Sequence, residues 1–91
     1  MPDQTTPEAP TPEHGDRAAA LQHVRAVAAW YSEQIGRELR AAAPNTGRLE
    51  ELKRQREQVM VDQQAVGEAG GQELARITAV YAARLQELRG E

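Results

Sequence analysis

Between Asp16 and Ala43 the chain runs through 28 residues with no proline and one glycine, and its apolar positions recur every three or four residues. Turning about 100° per residue, Leu21, Val24, Ala28, Tyr31, Ile35, Leu39 and Ala42 fall within an arc of about 80°, the width of a buried helical stripe. The spacing predicts a helix over 16–43 with that stripe as its core face. Asp16 suits the start, because its carboxylate can accept from the unpaired N–H groups of the first turn. Pro44 disfavours helix at Ala43. The run Pro44-Asn45-Thr46-Gly47 then supplies a turn in which Asn45 or Thr46 can cap the next element.

A second helix is predicted over 48–66, with a seam of Leu49, Leu52, Arg56, Val59, Met60, Gln63 and Val66. Arg56 and Gln63 stand where a heptad pattern wants apolar residues, which makes this helix the weakest packer of the three. Either they reach a partner, or they lie at the seam's edge with their polar ends in water. A third helix over 72–89 has the cleanest pattern, with Leu74, Ile77, Thr78, Tyr81, Leu85 and Leu88 on one side and Gly90 placed to close it.

Between the second and third helices, three glycines stand within five residues, Gly67, Gly70 and Gly71. Carrying a helix through them would cost about 3 kcal/mol relative to alanine, so a turn is expected at Gly70 and Gly71. The fold expected is all-α: three antiparallel helices, a helical hairpin plus a third helix. Without that turn, residues 48–89 would form one rod of about 63 Å, a long two-helix hairpin whose apolar stripe needs another subunit to cover it.

Residues 1–15 hold four of the five prolines, three acids and no lysine or arginine. Nothing there offsets the entropy of ordering, so a disordered, proline-rich acidic tail is expected ahead of a helical domain over 16–91. That domain is small and rich in alanine, with no phenylalanine anywhere in the chain, so a second subunit adding to its core is a natural expectation. A coiled-coil-like homodimer is expected, with another protein as the alternative partner.

Three of the fourteen acids lie in the tail, leaving eleven against eleven bases. A neutral domain argues against a dedicated phosphate-binding surface. The most basic window, residues 48–56, places Arg48, Lys53, Arg54 and Arg56 beside Glu50 and Glu51, with Glu57 just after. This composition suits a solvated face with internal ion pairs, such as Glu50 with Arg54. The absence of cysteine removes disulfides and thiolate chemistry. His14 and His23 lack helical metal-site partners, so no metal or other cofactor is expected. No apolar run approaches a membrane span, and a cytoplasmic location is expected.

Gly70-Gly71-Gln72 also spells a tripeptide of peptide-release factors, but Glu68 and Glu73 flank it where a ribosomal ligand needs bases, so it reads as a turn. Trp30 is the more informative residue. It lies about 140° from the centre of the core stripe, among His23, Ala26, Gln34, Arg37 and Ala41, with Val27 between the two faces. An isolated tryptophan on an alanine-rich face has the composition of an interface anchor; equally, the third helix could pack there.

The expected interface set is therefore Trp30, His23, Ala26, Val27, Gln34, Arg37, Ala41, Arg56 and Gln63. The function expected is a non-enzymatic helical interaction module, a small adaptor or regulatory subunit that self-associates or binds a partner protein, with no small-molecule ligand. A second reading is an antitoxin-like regulator contacting nucleic acid through residues 48–56. A third, an enzyme at a helical dimer interface, would need a convergent polar pocket around Arg37, Arg56 and Gln63.

Overall fold

A computed structural model describes the backbone of residues 12–90 and the side-chain surroundings of residues 15–90. Three helices follow in order: α1 over Pro12–Arg40, α2 over Thr46–Val66 and α3 over Gly71–Leu88. Among the described residues the elements are all helices, with no strand. α2 returns antiparallel along α1, and α3 reverses again to run beside α1. Both pack along α1 and touch one another far less.

The α1 start differs from the expectation. The helix begins at Pro12, one turn before Asp16 and inside the stretch assigned to the tail. A proline in a first turn sacrifices no helical hydrogen bond and has its φ already set. The rest of the tail expectation, residues 1–11, lies outside the described residues.

The α1 end comes at Arg40, not Ala43. Pro44 has no N–H to offer the carbonyl of Arg40, and Ala41 to Ala43 bend away after a tightened bond from Ala41 N to Glu38 O at 3.2 Å. Glu38 then holds the returning chain. Its carboxylate accepts from Asn45 N at 3.0 Å and lies 3.8 Å from the Arg48 guanidinium. Asn45 is the N-cap of α2, its side chain accepting from Arg48 N at 2.9 Å.

The turn between α2 and α3 spans Gly67 to Gly70, and Gly71 is already the first residue of α3. The end of α2 tightens to bonds three residues apart at Gly67, Glu68 and Ala69. Gly70 then takes an extended conformation, φ −84° and ψ 177°. The continuous rod does not form. At the far end Gly90, with φ +80°, closes α3 in the left-handed region that glycine tolerates.

The bend is held by a residue of α1. The Arg17 guanidinium donates to Val66 O at 3.1 Å and to Ala69 O at 2.6 Å. α2 carries no basic residue in its last turn, so Arg17 supplies both the donors and the positive charge its C-terminal carbonyls favour.

The core consists of Ala20, Val24, Val27, Tyr31 and Ile35 from α1, Leu52, Val59 and Val66 from α2, and Leu74, Ile77 and Tyr81 from α3. The α3 residues match the expected stripe. On α1 the buried arc is rotated by about 40° toward Trp30 relative to the expected one. Ala20 and Val27 are fully buried, Leu21 and Ala28 are half-buried, and Leu39 and Ala42 are exposed. α1 serves two neighbours, so its most buried line bisects the two seams.

α2 buries one residue every seven, where a full coiled-coil seam buries two. Arg56 and Gln63 fall in the intervening places and are half-buried at the edge. Met60, expected in the seam, is 52 % exposed.

Replacing Arg17 with alanine is expected to lower stability by about 2 kcal/mol, because two hydrogen bonds from a charged donor are lost at a helix end. Arg37→Ala, which removes an exposed pair with Glu33 at 3.2 Å, should change stability by less than about 0.5 kcal/mol. Urea midpoints of the two variants check the contrast.

Candidate functional site

Two kinds of surface could carry function: the Trp30 side of α1 and the open side of the α1–α2 pair. On the first, α3 packs beside Trp30 and leaves it half-buried. Trp30 packs against the core and sits edge-to-face on Tyr31, ring centroids 5.2 Å apart at 86°. Leu85 and Arg89 share one shallow crevice with Ala26, Ala29, Trp30 and Glu33. Leu52, Gln55 and Leu88 share another, of about 300 Å³, with Trp30 and Tyr31.

The expected interface residues thus separate into groups. Val27 is corrected to the monomer core, since it is fully buried between the helices. His23, Ala26, Trp30 and Gln34 are half-buried, and the His23 ring lies 2.9 Å from Ala19 O. Arg37 and Ala41 are exposed and follow Glu33, where the crevice with α3 ends. Arg56 and Gln63 belong to α2 and lie apart from this set.

The second surface is a groove along the open side of α1 and α2, about 590 Å³ in volume, lined by Leu21, Arg25, Glu57, Met60, Gln63, Gln64 and Gly67. No α3 residue reaches it. Leu21 and Met60 form its apolar floor. Leu21 is half-buried because α2 offers only Val59 and Val66 at full depth here, with Gln63 between them. Arg25 and Glu57 stand on opposite walls, and neither has an ion-pair partner within 4 Å among the described residues.

Most other charges on α2 have partners, though Arg56 has no ion-pair partner within 4 Å among the described residues. Lys53 lies 3.8 Å from Glu50, Arg54 pairs with Glu51, and Arg48 reaches Glu38. The pairs on α2 are three residues apart, not the Glu50–Arg54 pair expected, because Glu50 faces Lys53. Within the basic window, Lys53 and Arg54 are thus balanced by carboxylates of their own helix and Arg48 by one of α1.

Where α2 and α3 do meet, the Tyr81 hydroxyl donates to Asp62; between α1 and α2, the Tyr31 hydroxyl donates to Gln55, whose amide donates in turn to Glu51. Burial, then the hydrogen bond and charge of Asp62, push the Tyr81 phenol above the usual tyrosine range. The Arg84 guanidinium, 4.8 Å from the ring centroid, acts in the opposite direction. Beside the α3 start, Arg76 bonds Glu73 and holds its carboxyl below the usual range.

Among the described residues there is no cluster of three or more side chains that could hold a metal ion, and no helix is long and apolar enough to cross a membrane. Every buried side-chain polar atom described has a hydrogen-bond partner. Comparison of the chain with protein-family models, curated proteins and solved structures returns no match.

The sequence pattern points to only part of the groove: Gln63 stands out as a polar residue in an apolar seam, whereas Leu21 and Met60, expected in the core, are half-buried and exposed. What would have pointed to them is the pairing of that polar seam position with the half-heptad burial of α2.

The raised Tyr81 pKa has a definite sign in stability. Below about pH 10 the phenol is protonated both folded and unfolded, and its contribution is complete. Above that, the unfolded chain releases the proton first, so stability falls as pH rises toward the folded-state value. Tyr81→Phe should flatten this alkaline loss and lower neutral-pH stability by about 1–2 kcal/mol, because Asp62 loses its donor. Urea unfolding at neutral and alkaline pH checks both effects.

Proposed function

We propose that this protein is a non-enzymatic helical interaction module, a small adaptor or regulatory subunit whose open α1–α2 groove binds protein. The observation that carries the reading is the coincidence, in one groove, of an apolar floor and two unpaired opposite charges. Single exposed apolar side chains are ordinary on a protein surface. A half-exposed methionine beside a half-buried leucine, walled by an arginine and a glutamate, has the make-up of a recognition patch.

Val61 illustrates the difference. It is as exposed as Met60, at 53 % against 52 %, yet it lines none of the grooves described above. The internal pairing along residues 48–54 weighs against the nucleic-acid reading, because phosphates would have to compete with carboxylates already in place.

A photo-crosslinking side chain introduced in place of Met60, with the same group in place of Val61 as an equally exposed control, tests the reading in cells. The expected outcome is a discrete protein adduct from position 60 that is absent from position 61. Equal labelling at the two positions, or no protein adduct at either, would refute it.

A further inference from the structure

We infer that the partner of the α1–α2 groove is a second copy of this chain, docked about a two-fold axis that passes between Arg25 and Glu57. The inference rests on the interaction-module reading and names its partner. A two-fold interface uses the same patch on both subunits, so the patch must complement itself.

This groove meets that condition. Its charged lining consists of one base on α1 and one acid on α2, and the remaining lining residues, Leu21, Met60, Gln63, Gln64 and Gly67, are uncharged. With the axis between the two charges, Arg25 of each copy meets Glu57 of the other, and both pairs form together. The floors of Leu21 and Met60 then close over one another at the centre, and the glutamine amides are available to bond across the rim.

Neither charge is engaged within its own chain among the described residues, so no existing ion pair must break. Residues 16–91 balance eleven acids with eleven bases while the full chain carries −3, so the local Arg25–Glu57 pairs, and not overall charge, favour the approach of two copies.

The groove follows residues 57–67 along α2, about 16 Å of that helix, so the contact is smaller than the roughly 1,200 Å² of a stable specific interface. A single apolar centre flanked by two symmetric charge pairs makes a modest dimer, governed by concentration.

The contact differs from a dimer through the Trp30 side, where α3 already packs. It places the second copy on the opposite flank of α1 and draws Gln63 and the neighbouring Arg56 toward the junction.

A charge exchange followed by light scattering and sedimentation of the full chain over a concentration series tests the inference. The wild-type mass is expected to rise from 10.0 kDa toward twice that value. Arg25→Glu and Glu57→Arg each set like charges face to face and should weaken association by roughly ten-fold or more. Together they restore opposite charges across the axis and should recover dimerisation. Circular dichroism should be unchanged in all three, since both residues are exposed.

A wild-type chain that stays monomeric, or a double variant no stronger than the singles, overturns the second-copy assignment. If the position-60 crosslinker then joins a foreign protein to a monomeric chain, only this assignment fails. Absence of any position-60 adduct removes the interaction-module reading with it.

Discussion

One helix here has to satisfy two neighbours at once. α1 carries α2 on one flank and α3 on the other, while α2 and α3 meet chiefly through side chains. A helix shared in this way needs a buried arc wider than either seam alone, and the residues on its bisector must be slim enough for both partners to approach. Ala20, Val24 and Val27, all fully buried, occupy that line. Tyr31 and Trp30 take up the space where the three helices diverge, edge-to-face on one another. The small core that sequence composition allows follows from this geometry.

The reversal between α2 and α3 depends on the same helix. Three glycines remove the incentive to continue α2, but a glycine-rich stretch does not choose a direction. The direction is set by Arg17, which donates to Val66 O and Ala69 O and gives those carbonyls partners they would otherwise take from a continuing helix. Because Arg17 lies near the α1 start, its bonds fix the beginning of α3 against that end of α1. α3 then runs along the Trp30 flank. A local propensity for a turn and a long-range charged cap thus act together, and the second makes the first specific.

Helix number, order and most of the α3 core could be read from periodicity alone, because α3 presents a single stripe to a single partner. α1 was harder for a physical reason: a hydrophobic arc computed for one partner is centred on the largest apolar residues, whereas the true centre lies between two seams. Leu39 and Leu21 drew the expected stripe toward the α2 flank, and the small size of Ala20 hid its central place. The even choice at Trp30 needed the path of α3, which depends on Arg17, a bond across 49 residues that no local pattern encodes. The glycine turn is expected at Gly70 and Gly71 but begins at Gly67, the C-cap of α2, where the backbone bonds tighten to a three-residue spacing.

The candidate site is the other side of this arrangement. α2 buries Leu52, Val59 and Val66 and leaves Arg56 and Gln63 at the edge, so its apolar capacity is incompletely used by α1. A more apolar α2 would close tightly over Leu21 and leave no groove, at the expense of the open surface. A more polar one would lose its hold on α1, and with it the carbonyls that Arg17 needs. An intermediate composition keeps α2 attached while exposing Met60 beside unpaired Arg25 and Glu57. The limited packing of this helix, unfavourable when stability alone is considered, is what leaves open the groove that the proposed recognition would use.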